Sequence, residues 1–272
     1  METANTNSTL LLPRLTSSVC DVAREAGAFL RSEREHFSTD RVEVKGLHNF
    51  VSDVDKNAEK RIVVALRELL PEAGFIAEEG TAESHNERYR WVIDPLDGTT
   101  NFIHGLPPYA VSIALMDNDE VVIGVVYEAV CDECFCAWKG SKAYLNGKEI
   151  RVSEAKTIAD SLVATGFPYY DFHKMQGYMN SLTHLMQSSH GARRLGSAAT
   201  DMAYVACGRF EAFYEYSLQP WDVAAGALIV QQAGGRVSDF SGGTNYIFGK
   251  EMVCTNANVY GEFMNVVKQY LL

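Results

Sequence analysis

The run Trp91–Asn101 constrains the fold more than any other feature of the sequence. An apolar segment leads into two aspartates, Asp94 and Asp97, that are separated by a proline and a leucine. Pro95 removes a backbone donor and fixes φ, while Gly98 allows the backbone to turn closely. The pattern predicts a buried strand that ends at a sheet edge, where both carboxylates can meet a ligand.

The turn after this strand has a composition that suits an anion. The backbone amides and hydroxyls of Gly98, Thr99 and Thr100 can approach a negatively charged group. A polar turn after a core strand is the simpler interpretation of a single Asp-x-x-Asp. That interpretation must also explain further acids at three places: Glu78-Glu79 after an apolar run, Asp55 in the first turn of a helix, and Asp222 after Trp221.

Carboxylates gathered in one place repel one another unless cations lie among them. Oxygen ligands of this kind suit Mg²⁺, which also binds the phosphate of a substrate. Two such ions can stabilise both the attacking and the leaving oxygens of a phosphoryl transfer. The chain carries 24 Lys and Arg against 35 Asp and Glu, a net charge of −11, which disfavours a general nucleic-acid binder. Cations among the acids would keep the chain compatible with phosphate esters.

The apolar periodicity predicts helices first, then mainly antiparallel strands, and then alternating strands and helices. Helical spacing begins at Pro13, and Ser52 with Asp55 three residues later indicates the start of a second helix. Asn146-Gly147 between two short apolar runs predicts a hairpin. Alternation in the second half predicts an α/β layer. We therefore expect an α+β and α/β fold with two subdomains, 1–155 and 156–272, which share a large interface.

The sequence predicts a cytoplasmic protein without a membrane span. No run of 18 apolar residues occurs, and the polar start Met1–Thr9 has no basic stretch before an apolar one. Without a secretory signal, the six scattered cysteines are best interpreted as reduced thiols.

Several motifs stand in a fixed order along the chain from about Lys45 to Asp239: Phe50–Asp55, Glu78-Glu79, Asp94–Phe102, Gly196–Ala199, Trp221–Gly226 and Ala233–Gly235. Together they closely resemble the motifs of the inositol monophosphatase family, and the bacterial inositol-1-monophosphatase branch is the most similar. The resemblance implies a sugar-phosphatase fold of stacked α-β-α-β-α layers. It also implies a homodimer, a requirement for Mg²⁺ and inhibition by Li⁺.

The resemblance assigns metal ligands by position. Glu78, Asp94 and the Leu96 carbonyl match ligands of a first ion, and Asp94, Asp97 and Asp222 match ligands of a second. A third, looser ion is expected near Glu78 through water. Asn49 stands where many members have Asp, so support for the third ion is the weakest of the three.

The resemblance also assigns catalytic and substrate-binding residues. Asp55 and Thr99 match the pair that orients and activates the attacking water, with Glu78 beside them and Glu79 supporting the shell. The amides of Gly98 and Thr99, with Thr100, are expected to hold the phosphate. Three positions match contacts to the inositol ring and its hydroxyls: Ser197, Ala198 and Glu215. The first subdomain would then supply most metal ligands, and the second would supply Asp222 and the substrate contacts.

We expect a metal-dependent phosphoric monoester hydrolase that releases inositol and phosphate from myo-inositol monophosphate by attack of an activated water. A phosphatase of fructose-1,6-bisphosphate, NADP or adenosine 3′,5′-bisphosphate is an alternative. Glu215 favours a polyol, because a carboxylate accepts hydrogen bonds from hydroxyl groups. A regulatory, protein-binding member of the fold is a second alternative. We expect no membrane and no direct nucleic-acid partner.

Other polar and aromatic residues near these motifs receive structural interpretations. Surface or subunit contacts are expected for His104 and for Arg193-Arg194. Tyr169 and Tyr170 are interpreted as packing residues.

Overall fold

The computed structural model describes residues 5–38, 42–46, 49–82, 87–168 and 170–272, and side chains for 12–38, 52–82, 87–168 and 170–272. The predicted contribution of the Asn49 side chain, and the side chain of Tyr169, lie outside the described residues. The helices are α1 Asn5–Glu35, α2 Asp53–Leu69, α3 Thr99–His104, α4 Met175–Ser188, α5 Ala198–Ala206, α6 Pro220–Gln232 and α7 Tyr260–Leu271. The strands are β1 Val42–Gly46, β2 Asn49–Ser52, β3 Gly74–Ala77, β4 Tyr89–Asp97, β5 Ala110–Asp117, β6 Glu120–Glu128, β7 Glu133–Trp138, β8 Ala143–Leu145, β9 Lys148–Ile150, β10 Leu162–Thr165, β11 Gly191–Arg193, β12 Ala212–Tyr216, β13 Arg236–Ser238 and β14 Glu251–Thr255.

The two N-terminal helices start differently from one another. The prediction that α1 begins at Pro13 is wrong: the helix begins at Asn5, and Pro13 lies inside it. The predicted start of α2 is confirmed. Ser52 caps the helix, with its hydroxyl accepting from the Val54 amide at 3.2 Å, and Asp55 Oδ2 accepts from the Ser52 amide at 2.8 Å. This reciprocal cap satisfies donors that a helix start otherwise leaves unpaired.

The larger sheet has seven strands in the order β3-β4-β5-β6-β7-β8-β9. Strands β3 and β4 are parallel, and each later neighbouring pair is antiparallel, as the first half of the sequence predicts. The β8–β9 turn contains Asn146 and Gly147, both with positive φ, at 47° and 77°. Those angles are typical of the two-residue turns that match the twist of a hairpin.

The smaller sheet has five strands in the order β11-β10-β12-β14-β13. Strand β10 is parallel to both of its neighbours, while β14 is antiparallel to β12 and β13. All five residues of β12 are buried. The mixed directions follow from helices that connect some of these strands.

The helices and sheets stack as five layers. Helices α1 and α2 cover one face of the larger sheet, α5 and α6 pack between the two sheets, and α4 and α7 cover the outer face of the smaller sheet. Three buried apolar clusters fill the four interfaces between layers, because the middle cluster contacts both sheets. The α-β-α-β-α architecture that the resemblance implies is confirmed.

The predicted boundary near residue 155 falls between the sheets. The larger sheet ends at Ile150 and the smaller one begins at Leu162. Helix α6, from the second half, packs on β5 and β6 of the first half. The division into subdomains stays a prediction. None of the helices in the described part of the chain combines the length and apolar character that a membrane crossing requires.

Candidate active site

Strand β4 delivers two acids to one end of the larger sheet. The pairing of β4 with β5 is regular up to Asp94, which lies opposite Ser112, and becomes irregular between Asp94 and Asp97. Asp94 is buried, and its Oδ1 accepts from the Leu96 amide at 2.9 Å. Because Pro95 has no amide proton, the strand cannot continue its ladder there. The interruption presents Asp94 and Asp97 at the same sheet end.

Gly98 makes the sharp turn into α3 possible. Its φ of +93° lies in the left-handed region, and a Cβ there would be 3.0 Å from the Pro108 carbonyl oxygen. The turn places Thr99 Oγ1 3.1 Å from Asp55 Oδ1 and 3.0 Å from the Leu96 carbonyl oxygen. The structure therefore brings together the Asp55–Thr99 pair that the resemblance assigns to water activation.

Asp55 serves both α2 and this pair. Its Oδ2 accepts from the backbone and the hydroxyl of Ser52, at 2.8 and 2.6 Å. Burial raises the pKa of Asp55, and the hydrogen bonds from Ser52 and Thr99 oppose that rise. The helix cap thus fixes one oxygen and leaves the other directed at Thr99.

The start of α5 holds Asp97. Its Oδ2 accepts from the Ser197 hydroxyl at 2.6 Å and from the Ala199 amide at 2.7 Å. A carboxylate at a helix N-terminus meets unpaired amides and the positive end of the helix dipole. Desolvation nevertheless raises the pKa of Asp97 to about 6. Whether Ser197 also contacts substrate hydroxyls, as the resemblance implies, stays a prediction.

The first turn of α6 supplies Asp222. Its Oδ2 accepts from the Gln219 amide at 2.7 Å, and the Ser112 hydroxyl donates to the Trp221 carbonyl at 3.0 Å. The second bond ties α6 to β5, directly opposite Asp94 in the sheet register. Desolvation and the negative charge of Asp97 raise the pKa of Asp222 to about 7.

The turn after β3 carries Glu78 and Glu79. The Glu78 amide donates to the Ile93 carbonyl at 3.2 Å, which keeps the turn beside β4. From α2, the fully buried Glu59 accepts from the amides of Glu79 and Thr81, at 2.7 and 2.8 Å. Sequence reasoning missed Glu59; the available signal was an acidic residue on the buried face of an amphipathic helix.

One cavity of about 410 Å³ unites these elements. Eleven of the residues that the sequence predicts for the site line it: Glu78, Asp94, Leu96, Asp97, Gly98, Thr99, Thr100, Ser197, Ala198, Glu215 and Asp222. Asp55 and Glu79 do not line it; Asp55 reaches it through Thr99. Arg194 and Tyr170 also line the cavity, a place that the expected surface or subunit contact of Arg194 and the expected packing role of Tyr170 did not include.

Strand β12 brings Glu215 to the cavity. A Cβ on Gly166 would lie 1.9 Å from the Glu215 carboxyl, so only glycine allows this close approach. Burial, then the charge of Asp222, raise the pKa of Glu215 well above its usual range, while Arg194 acts in the opposite direction. The Arg194 guanidinium lies 5.3 Å from the centre of the Phe167 ring. Sequence reasoning missed Gly166, whose only signal was a glycine directly after a strand.

The acids of the cavity raise one another's pKa values. Desolvation, followed by the charges of Asp222 and Glu79, places the pKa of Glu78 well above its usual range. Burial, followed by the charge of Glu78, does the same to the pKa of Asp94.

This donor set fits hard divalent cations. In the described part of the chain, no three His, Cys, Asp or Glu side chains already stand as a ready set of metal ligands. The acids nevertheless face one cavity, where they repel one another. Among the residues that line it, the acids outnumber the cationic side chains. Bound cations would remove this repulsion, and carboxylate and carbonyl oxygens are the ligands that Mg²⁺ prefers.

Comparison with known proteins agrees with this geometry. The model of the inositol monophosphatase family matches residues 12–271. The chain belongs to the inositol monophosphatase family. Membership implies a small-molecule substrate and chemistry that is generally metal-dependent.

Individual relatives carry two kinds of name. A Nus factor SuhB from Pseudomonas aeruginosa is 41% identical over 92% of this chain and 94% of its own. An inositol-1-monophosphatase from Mesorhizobium japonicum is 37% identical over 94% of this chain and 97% of its own. The crystal structure of the extragenic suppressor protein suhB from Bartonella henselae superposes with a TM-score of 0.88 at 38% identity, covering 94% of this chain and 99% of that one.

Proposed function

We propose that this protein is a Mg²⁺-dependent phosphatase that hydrolyses a phosphate monoester, with myo-inositol monophosphate as its substrate. The observation that carries the proposal is the convergence of four acids from three elements, Glu78, Asp94, Asp97 and Asp222, on one cavity. Family membership and the Asp55–Thr99 hydrogen bond support it.

The cation assignments follow the family resemblance. Glu78, Asp94 and the Leu96 carbonyl would hold a first ion, and Asp94, Asp97 and Asp222 a second. A third would lie near Glu78, and Glu79 would support the shell. The ions would offset the charge of the acids and of the phosphate, and would favour in-line attack of a water on phosphorus.

The protein's own groups supply proton transfer and orientation. Thr99 can accept a proton from the attacking water while its own hydroxyl donates to Asp55, so Asp55 acts as the base through Thr99. The amides of Gly98 and Thr99, together with Thr100, would orient the phosphate. The water oxygen forms a new P–O bond, the ester P–O bond breaks, and the leaving oxygen takes up a proton from solvent as the alcohol departs.

Glu215 supports a polyol as the leaving alcohol. The cavity that holds the acids is also lined by Glu215, Ser197 and Ala198. A carboxylate can accept from the hydroxyls of a polyol, whereas a sugar bisphosphate would bring further negative charge towards it.

Phosphate release from inositol-1-phosphate tests the proposal. We expect turnover with Mg²⁺, none after its omission, and inhibition by Li⁺. Fructose-1,6-bisphosphate, NADP and adenosine 3′,5′-bisphosphate serve as the comparison panel, and we expect a lower kcat/KM for each. A different best substrate would overturn the inositol assignment, and no Mg²⁺-dependent release from any of them would overturn the enzymatic function.

The name Nus factor SuhB, carried by a relative at 41% identity, favours a second role in binding another protein. Affinity capture from the source cells with wild type and with Asp97→Asn tests this. Partners retained by the variant, and absent from a control bait, would support a role separate from hydrolysis. Absence of any specific partner would contradict it.

We also propose that the protein is a cytoplasmic homodimer. Light scattering after size-exclusion chromatography should give about twice the chain mass of 30.1 kDa. A monomer mass would contradict the dimer, and fractionation of the source cells tests the location.

A further inference from the structure

A chain of hydrogen bonds links an exposed tyrosine to one of the cavity acids. The Gln219 amide donates to Asp222 Oδ2 at 2.7 Å, and Gln219 Nε2 donates to the Tyr170 hydroxyl at 3.1 Å. The same hydroxyl donates to the Ser217 carbonyl at 3.2 Å. Tyr170 thus binds both ends of the short connection 217–219 between β12 and α6.

The conformation of this connection needs stabilising contacts from another part of the chain. Ser217 has a φ of 71°, in the left-handed region that a residue with a Cβ adopts only when its surroundings hold it there. Its buried Oγ has no hydrogen-bond partner among the described residues. Gln219, which precedes α6, is not among the residue types that cap helices well. Tyr170 supplies such a contact, because its hydroxyl binds the carbonyl of Ser217, 47 residues later in the chain.

We propose that Tyr170 is a positioning residue for cation binding: its hydroxyl fixes the 217–219 connection, and Gln219 in turn fixes the rotation of the Asp222 carboxylate. The inference rests on the proposed function, since it needs a cation at Asp222. A carboxylate held through Oδ2 presents Oδ1 in a fixed direction, which lowers the ordering cost of binding an ion. Tyr170 is 49% exposed, so its hydroxyl contributes little to the stability of the fold.

Calorimetric titration of the full chain with Mg²⁺, without substrate, measures this effect directly. We expect Tyr170→Phe to raise the Kd for Mg²⁺ by roughly 10-fold, the scale on which residues that orient ligands act. The concentration of Mg²⁺ for half-maximal phosphate release should rise by the same factor, while kcat at saturating Mg²⁺ stays within about twofold. Gln219→Ala should reproduce the loss, because it breaks the same link.

A matched control lies at the other end of the same helix. Gln231 Nε2 donates to the Tyr246 hydroxyl at 2.9 Å, far along α6 from Asp222. Tyr246→Phe removes the same kind of bond and should leave the Kd for Mg²⁺ unchanged. Melting temperatures in EDTA show whether each variant is folded.

Three results would overturn the inference. Tyr170→Phe could bind Mg²⁺ as the wild type does, Tyr246→Phe could lose as much affinity, or kcat at saturating Mg²⁺ could fall with no change in Kd. Each of these leaves the proposed function standing. Failure of the wild type itself to bind Mg²⁺ would overturn both.

Discussion

Asp94 is the residue on which the proposed chemistry depends most, because it is assigned to both ions. It is buried on β4, and burial and the charge of Glu78 raise its pKa well above the usual range. We expect Asp94→Asn to lower kcat/KM for inositol-1-phosphate by more than the roughly 100-fold that loss of a ligand-orienting residue can cost. Phosphate release at saturating Mg²⁺ measures this, and circular dichroism shows that the fold is kept.

Glu128→Gln is the control for Asp94→Asn. Glu128 is also fully buried, but it accepts from the amides of Val130 and Cys131 in a turn outside the cavity. Its substitution should leave kcat/KM near the wild-type value. Near-normal turnover of Asp94→Asn would contradict the ligand assignment.

Asp201 is a buried acid next to the cavity, and its ionisation at higher pH destabilises the folded chain. It is 1% exposed, and its Oδ1 has no hydrogen-bond partner within the described chain. Burial, then the charges of Glu215 and Asp97, raise its pKa well above the usual value. The folded chain therefore binds this proton more tightly than the unfolded chain, so stability from this group is full at low pH and is lost as pH rises.

Asp201→Asn removes this dependence. In EDTA, the free energy of unfolding of the variant minus that of the wild type should increase from pH 5 to pH 8, by at least about 1 kcal/mol. Denaturant unfolding at both pH values measures the difference. Asp119→Asn, at a position whose side chain is 97% exposed, should show no such trend. A difference that shrinks with rising pH would contradict the buried-charge interpretation.

The residues of one contiguous motif could be predicted from the sequence pattern, whereas the meeting of distant residues, such as Asp55 with Thr99, was expected only from the family resemblance. Asp94, Asp97 and Thr99 lie on one short run, so their proximity follows from chain geometry. Arg194 and Tyr170 looked like surface or packing residues because only the folded chain places them on the cavity wall.

Among the secondary-structure elements, the turn after β3 depends on α2. Glu59 accepts the amides of Glu79 and Thr81, so Glu59→Gln would leave one amide without a carboxylate partner. We expect a loss of about 2 kcal/mol in the free energy of unfolding and weaker binding of Mg²⁺, since Glu78 lies on the same turn. Urea unfolding and calorimetry measure the two effects. Glu68→Gln, on the exposed face of α2, should change neither, and equal losses in both variants would contradict the role of Glu59.

Elements with a strong local pattern were predicted, including the three-residue strands β8 and β9, whereas α3 and β11 were not. The β8–β9 hairpin follows from Asn146-Gly147, and the start of α2 follows from Ser52 and Asp55. Helix α3 has six residues and β11 has three, too few to show a hydrophobic period. Helix α1 extends past Pro13 towards the N-terminus, although a proline normally marks a first turn.

For the whole molecule, the acids of the cavity make stability depend on divalent cations. Mg²⁺ that binds the folded chain alone stabilises it by about 2.7 kcal/mol at 100 times its Kd. We expect the melting temperature to rise with Mg²⁺ and to return to its starting value with EDTA. NaCl at equal ionic strength should raise it less, because screening alone does not bridge buried carboxylates. Equal shifts in the two salts would contradict specific cation binding.

The five-layer arrangement itself could not be derived from periodicity. The pattern of strands and helices predicts the two kinds of sheet, but the packing of α5 and α6 between them depends on contacts across 100 residues or more, such as the Ser197–Asp97 hydrogen bond. The family resemblance supplied that level of structure.

Anomalous diffraction from crystals grown with Mn²⁺ in place of Mg²⁺ tests the cation site most directly. We expect peaks inside the cavity within bonding distance of the carboxylates of Asp94, Asp97 and Asp222, and beside Glu78. Peaks confined to the protein surface, with the cavity empty at saturating Mn²⁺, would contradict a phosphatase mechanism built on these four acids.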